Sequence, residues 1–414
     1  MKSSLDTKAP RPATTVRRDK EWDEDRTLLA RAGVDNDPTH GAITPALYTS
    51  SNFSFQSLDN PRPYDYSRSG NPTRDELGRL VAELERGDHA IVTSTGMSAI
   101  ALVLKALQTD DLILAPHDCY GGTYRLLQSE AADGRFRVKF ADLTDASKLD
   151  DAFAEKPTMV LIETPSNPLL RITDIKAVAA RAKTAGALVV ADNTFLSPLL
   201  QKPLKHGADI VVHSTTKYIN GHSDIVGGAV VVKDRKTFDR LVAWRANANE
   251  MTGAAWWANN TGVTASPHDS WMTLRGARTL ALRIAEQTKS AGAIAQSLRQ
   301  HRAVSKVYYP GLADHPGHAT AARQQKGFGA MLSFELKNPS EVAPFIHALT
   351  KNERPLFSLA ESLGGFESLI AHPVTMTHKS MGAAGREAAG ITDGLLRISV
   401  GLEAQQHLIK ALQD

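Results

Sequence analysis

Short apolar runs alternate with segments of helical composition through the first two thirds of the chain. The run 187–191 is entirely apolar, which is typical of a strand covered on both faces of a sheet. Repeated strand–helix units predict an α/β fold with a mostly parallel sheet and helices on both of its faces. The strands are predicted at 89–93, 112–115, 136–140, 158–162, 187–191, 209–213 and 226–232.

The pattern changes after Arg275, where predicted strands and helices no longer alternate regularly. The mixture is typical of α+β structure and indicates a smaller C-terminal domain. We therefore predict three parts: an N-terminal extension at 1–65, a sheet domain at 66–280 and a C-terminal domain at 281–414. Residues 1–25 are polar and of mixed charge, so we expect a tail or an arm that orders on assembly. The C-terminal strands are predicted at 304–309, 330–335 and 395–399, and its helices at 283–300, 341–349 and over about the last dozen residues.

Composition excludes several classes of function. The net charge of +3 is spread along 414 residues, without the basic cluster of a nucleic-acid-binding arm. We expect no membrane span and no signal peptide, because no apolar stretch is long enough and the first residues lack an apolar core. The single cysteine, Cys119, rules out an internal disulfide. This cysteine usage fits a reducing compartment and predicts a cytoplasmic protein.

The segment Ser214-Thr215-Thr216-Lys217-Tyr218 follows the predicted strand 209–213. Its hydroxyl groups could bind a phosphate, and its amine could react with an aldehyde. Pyridoxal 5′-phosphate (PLP) carries both of these groups. On these five residues alone, an ordinary solvated loop lysine is the more frequent interpretation.

Asp192 ends the neighbouring predicted strand 187–191. Right-handed crossovers place the carboxyl ends of parallel strands at one edge, where ligands bind. Asp192 and Lys217 should therefore meet there. PLP chemistry uses such a pair, since a carboxylate beside the pyridine nitrogen keeps the ring electron-accepting and a lysine amine acts as base. The turn 94–98, between a strand and a helix start, could bind the phosphate through backbone amides and the helix dipole.

The lysine segment, followed by Asn-Gly-His-Ser-Asp at 220–224, resembles that of the PLP enzymes of cysteine and methionine metabolism. The resemblance runs from about Thr39 onward. It implies PLP fold type I (aspartate aminotransferase-like), small amino-acid substrates, and a homotetramer built from two dimers whose sites are shared between chains. It is carried by 66–74, 115–125, 256–280, 321–335 and 359–378.

The resemblance also implies an activity, namely γ-replacement that forms cystathionine from O-succinylhomoserine and cysteine and releases succinate. Alternatives are a γ-lyase or β-lyase acting on cystathionine, an O-acylhomoserine sulfhydrylase and, more distantly, a PLP-fold regulator without turnover. Glu361 resembles the residue of γ-chemistry members, whereas bacterial β-lyases carry a different residue, so γ-synthase ranks first, γ-lyase second and β-lyase third. The segment 245–253 is longer than expected for the family.

Individual roles follow from the same resemblance. Lys217 would hold PLP as a Schiff base, Asp192 would pair with the ring nitrogen, and Tyr120 would stack on the ring. The phosphate would contact Gly96, Met97, Ser214 and Thr216, with Tyr66 and Arg68 reaching it from a neighbouring chain. Arg397 would hold the substrate α-carboxylate with help from Asn167 and Ser362, while Asp65 and Glu361 would contact the cysteine amine. The histidines show no metal-ligand spacing, so we expect no metal.

Overall fold

The structure is a computed structural model that describes residues 12–234, 237, 261–351 and 353–413. The segment 245–253 and the tryptophan pair at 256–257 lie outside the described residues. None of the helices within the described ranges is both long and apolar enough to cross a bilayer.

A seven-stranded sheet forms the larger layer, in the order β1-β7-β6-β5-β4-β2-β3. All pairs from β3 to β6 are parallel, whereas β7 runs antiparallel to both of its neighbours. The predicted mostly parallel sheet is therefore confirmed, and each predicted strand is found within about two residues at either end. The strands are β1 (His89–Thr93), β2 (Leu112–Pro116), β3 (Arg137–Ala141), β4 (Met159–Glu163), β5 (Leu188–Asp192), β6 (Ile210–His213) and β7 (Gly228–Val232).

Both faces of this sheet are buried, which explains the unbroken apolar runs. Leu114 and Val160 pack into a core on one face. Their chain neighbours Ile113 and Leu161 pack into a core on the other, because side chains alternate along a strand. The helices around the sheet are α2 (Pro72–Glu85), α3 (Gly96–Leu104), α4 (Gly121–Ala132), α5 (Leu149–Phe153), α6 (Ile175–Ala185) and α7 (Ser197–Leu200).

The N-terminal extension contains a helix, α1 (Lys20–Arg31), which begins within the predicted tail or arm at 1–25. Its Trp22 is 1% exposed, and the fully buried carboxylate of Asp25 pairs with Arg86 at 2.8 Å and Lys202 at 2.9 Å. The expectation of a tail is therefore wrong for this part of 1–25. Residues distant in sequence hold this helix in place through their contacts with it. The helix itself could not be predicted from local pattern, because its apolar content is low.

A second, five-stranded sheet lies in the C-terminal part, in the order β10-β11-β12-β9-β8. Two of its strands, at 357–359 and 368–371, were not predicted because each is very short. The division at residues 280–281 remains a prediction. The strands are β8 (Val304–Tyr308), β9 (Met331–Leu336), β10 (Phe357–Leu359), β11 (Ser368–Ala371) and β12 (Leu395–Ser399). The helices are α8 (Pro267–Ala277), α9 (Leu280–Arg299), α10 (His318–Gln324), α11 (Val342–Thr350), α12 (Gly382–Ala389) and α13 (Gln405–Gln413).

Candidate active site

A cavity of about 420 Å³ lies at the carboxyl ends of the parallel strands and is closed on one side by residues of the C-terminal part. It brings together most of the predicted site residues. Those lining it are Gly96, Met97, Tyr120, Asn167, Asp192, Ser214, Thr216, Lys217, Glu361, Ser362 and Arg397.

Lys217 follows β6 and extends its amine towards the C-terminal part. Its Nζ donates a hydrogen bond to Oγ of Ser362 across 2.6 Å. Burial and the positive charge of Arg397 lower the pKa of Lys217 to about 8, against an opposing effect of Glu361. A sizeable fraction of this amine is therefore neutral near physiological pH, as a nucleophile or a base requires.

Asp192 is the last residue of β5 and lines the same cavity. Its Oδ1 accepts a hydrogen bond from the backbone N–H of Thr194 at 2.9 Å. Burial raises the pKa of Asp192, while the hydrogen bonds from Thr194 and the neighbouring His213 oppose that rise. A cation placed beside Asp192 would favour its ionised form further, as the protonated pyridine nitrogen of PLP does.

The start of α3 and the loop after β6 form a close-packed cradle. A Cβ added at Gly96 would lie 2.7 Å from Cβ of Ser214, so only glycine allows the two loops to approach this closely. The free backbone N–H groups at the start of the helix point to an anion site. The hydroxyl of Thr216 is already hydrogen-bonded to the backbone of Gly227, at 2.9 and 3.2 Å.

Tyr120 stands at the N-cap of α4, and its side chain is 42% exposed. A Cβ at Gly122 would lie 2.5 Å from the Tyr120 ring, so the glycine leaves room for this ring orientation. The ring borders the cavity. An aromatic face at this place suits stacking against a planar cofactor.

Arg397 on β12 is buried, and its guanidinium faces the cavity. It donates to Oδ1 of Asn167 and to the carbonyl oxygen of Ser362, both at 2.9 Å. Burial lowers the pKa of Arg397 to about 10, which still leaves it charged at neutral pH. Its Nε has no hydrogen-bond partner within the described part of the chain. A bound carboxylate would supply an acceptor for this donor.

Asp65, Tyr66 and Arg68 do not line the cavity of their own chain. All three are exposed, and the Arg68 guanidinium carbon lies 5.4 Å from the centroid of the Tyr66 ring. Their predicted contact with a neighbouring chain remains a prediction.

Sequence reasoning missed two ionisable residues that line the cavity, Glu163 and His213. Glu163 ends β4 and His213 ends β6. The rule that selected Asp192, a polar residue at the carboxyl end of a parallel strand, could have selected both.

The residues present fit PLP. The cavity offers an amine of lowered pKa, a carboxylate for the ring nitrogen, an aromatic ring for stacking and a helix N-terminus with a close-packed glycine for the phosphate. The donor set is the one that this cofactor uses. Among the described residues there is no cluster of histidine, cysteine or carboxylate side chains that could hold a metal ion.

Comparison with known proteins gives consistent likenesses. The family model for "Cys/Met metabolism PLP-dependent enzyme" matches residues 26–414. The chain is 50% identical over 390 residues to the cystathionine gamma-synthase of Escherichia coli (strain K12), covering 94% of this chain and 96% of that protein. It is 42% identical to the cystathionine beta-lyase of Lactococcus lactis subsp. cremoris (strain MG1363), covering 94% and 98%. The crystal structure of cystathionine gamma synthase from Xanthomonas oryzae pv. oryzae in complex with cystathionine superimposes with a TM-score of 0.88 at 55% identity, covering 94% and 96%.

Proposed function

Because this chain belongs to the Cys/Met metabolism PLP-dependent enzyme family, we propose that it catalyses the cystathionine γ-synthase reaction. The predicted family, fold type and cofactor are confirmed by the comparisons. The substrates would be O-succinylhomoserine and L-cysteine, and the products cystathionine and succinate. The observation that carries the proposal is that Lys217, Asp192 and Arg397 line one cavity. Relatives of this chain at 50% and 55% identity are cystathionine γ-synthases.

Different residues of the cavity would bind the substrate and the cofactor phosphate. Arg397 would hold the substrate α-carboxylate through two parallel hydrogen bonds, a geometry that a lysine cannot copy. Asn167 and Ser362 each accept one hydrogen bond from the guanidinium and so fix its position. The backbone N–H groups of Gly96 and Met97 and the hydroxyl of Ser214 would hold the cofactor phosphate. The hydroxyl of Thr216 would join them by turning its proton away from the carbonyl of Gly227.

Bound PLP supplies an aldehyde that links to amino groups and a ring that withdraws electrons from the attached carbon atoms. Lys217 would carry the cofactor at rest, and its amine would then move protons at the substrate Cα and Cβ. Asp192 would hold the charge of the ring nitrogen. In the net reaction the Cγ–O bond to succinate breaks, a bond forms between Cγ and the cysteine sulfur, and the thiol proton is released.

We further propose a site shared between chains, with Tyr66 and Arg68 reaching the phosphate of a neighbour, in a homotetramer made of two dimers. Large apolar side chains are exposed in the segment leading to these residues, including Leu58 at 96% and Phe55 at 51%, and a neighbouring chain would cover them. The cytoplasm is the proposed location, since the only cysteine, Cys119, is buried and can form no internal disulfide.

A product assay tests the function. The protein is incubated with PLP, O-succinylhomoserine and cysteine, and separately with PLP and cystathionine, and the products are identified by mass. We expect cystathionine and succinate in the first reaction. Breakdown of cystathionine without synthesis would instead show a lyase. Reduction with borohydride followed by peptide mapping should place the cofactor on Lys217, and a Lys217→Ala variant serves as control.

The lyases are the second candidates, because relatives named cystathionine beta-lyase and cystathionine gamma-lyase match at 42% and 40% identity. Their products separate them. A γ-lyase releases cysteine from cystathionine, and a β-lyase releases homocysteine.

A further inference from the structure

Glu163 is a buried carboxyl group that the roles assigned so far do not use. It ends β4 and is 6% exposed. Its Oε2 accepts a hydrogen bond from the backbone N–H of Tyr120 at 2.8 Å. Its Oε1 accepts one from the backbone N–H of Asn167 at 3.1 Å. One side chain therefore joins two loops of the cavity wall.

Both of these loops carry residues with a proposed role. Tyr120 would stack on the cofactor ring, and it begins α4 without a side-chain cap of its own. Asn167 accepts the hydrogen bond from Arg397, which would bind the substrate carboxylate. Glu163 thus links the loop of the stacking ring directly to the loop of the carboxylate anchor.

We propose that Glu163 is a positioning residue of the reaction, which sets Tyr120 and Asn167 at the spacing that the cofactor and substrate require. This inference rests on the proposed function. Glu163 acts through backbone groups and needs no contact with the reacting atoms. A carboxyl group suits the task because each of its two oxygens accepts one of the two N–H groups.

The surroundings of Glu163 explain why loss of its carboxyl group would be costly. Burial and the nearby charge of Asp192, which pairs with Glu163 in the sheet register, raise the pKa of Glu163. At 6% exposure there is little room for water to satisfy the two N–H groups. Loss of the acceptor would leave them unpaired, a state that buried backbone groups avoid.

A Glu163→Gln variant tests the proposal on the holoenzyme. The amide keeps the shape of the carboxyl group, but its nitrogen cannot accept, so one of the two N–H groups loses its partner. We expect kcat/KM for O-succinylhomoserine to fall by about ten- to a hundredfold, as misplacement by ~1 Å does, while the KM for cysteine changes much less. The visible circular dichroism of the bound cofactor should also change, because this signal depends on the orientation of the cofactor ring in its site.

Asp25→Asn is the matched control. Asp25 is an equally buried carboxylate, paired with Arg86 and Lys202 away from the cavity. This variant should lower the melting temperature without altering the cofactor dichroism or the kinetic constants.

Glu163→Asp keeps the carboxyl group and shortens its reach, so it should show the same changes to a smaller degree and remains informative where the glutamine variant does not fold. The proposal is overturned if both Glu163 variants keep wild-type dichroism and kinetics, or if they lose only thermal stability as Asp25→Asn does. Failure of the wild-type protein to form cystathionine would instead overturn the proposed function. The dichroism would then still test whether Glu163 positions the ring.

Discussion

The guanidinium of Arg397 donates to the side-chain oxygen of Asn167 across 2.9 Å, although the two residues are 230 positions apart in sequence. Arg397 belongs to β12 of the second sheet, and Asn167 lies in the loop after β4 of the first. The carboxylate anchor of the proposed site is therefore built jointly by the two sheets.

Replacement of Arg397 by lysine should weaken substrate binding. Lysine keeps the charge but cannot make two parallel hydrogen bonds to a carboxylate. We expect kcat/KM for O-succinylhomoserine to fall by about ten- to a hundredfold, which corresponds to the ~1.5–3 kcal/mol of a hydrogen bond to a charged group. Steady-state kinetics measure the change. Arg283→Lys is the control, since Arg283 is also buried but donates to backbone carbonyls of Tyr218 and Gly276 outside the cavity. Arg283→Lys should lower the stability of the protein and leave the KM for O-succinylhomoserine unaltered. Equal losses of kcat/KM in both variants would contradict the role of Arg397 as carboxylate anchor.

The buried His378 should make the stability of the protein depend on pH. Its Nε2 donates to the carbonyl oxygen of Asn167 at 2.9 Å, and burial, with the charge of Arg397, lowers the pKa of His378 from 6.5 to about 4. Between these values the unfolded chain takes up a proton that the folded chain does not. The free energy of unfolding should therefore fall as the pH drops from 6.5 to 4, by up to roughly 3 kcal/mol from this residue.

Urea unfolding of a His378→Gln variant between pH 4 and 7.5 measures this contribution. Its stability should depend less steeply on pH than that of the wild type. His268→Gln, at a side chain 66% exposed, is the surface control for the substitution itself. A His378→Gln profile parallel to that of the wild type would show that this histidine is not the titrating group.

Glu361 should distinguish the two substrates. It borders the cavity, and its negative charge acts on both Lys217 and Arg397. We propose that it attracts the cysteine amine together with Asp65. Glu361→Val should then raise the KM for cysteine by up to about fivefold, the scale of an accessible ion pair, and that for O-succinylhomoserine far less. Glu387→Val, an exposed glutamate on α12, should change neither constant. Equal effects of Glu361→Val on both KM values would argue against the contact.

The shared site can be tested by mixing two inactive variants. Tyr66→Ala would remove the contact that Tyr66 makes with the cofactor phosphate of a neighbouring chain. Lys217→Ala would inactivate the site of its own chain. If each site needs two chains, random reassembly should restore about a quarter of wild-type activity, since half of the dimers are mixed and each has one intact site. No recovery after subunit exchange, verified by mass, would show that each chain builds its site alone.

Much of the fold and the centre of the site could be predicted without coordinates. The strand pattern identified all seven strands of the first sheet, and it was clearest for the inner strands, because burial on both faces leaves an unbroken apolar signal. Lys217 and Asp192 were selected because parallel strands end at one edge, a rule that depends on chain direction alone. The hydroxyl-rich lysine segment then led to the cofactor and the family.

Other features required the tertiary structure. Helix α1 is held by Asp25 pairing with Arg86 and Lys202, and no local pattern encodes such distant partners. The role of Glu163 depends on two N–H groups from different loops, and the anchor on two sheets meeting at Arg397 and Asn167. Local periodicity reports which face of an element is buried, and it therefore determined the strands and the edge that carries Lys217. Distances between side chains far apart in sequence follow from how the layers pack, and only the tertiary structure decided them.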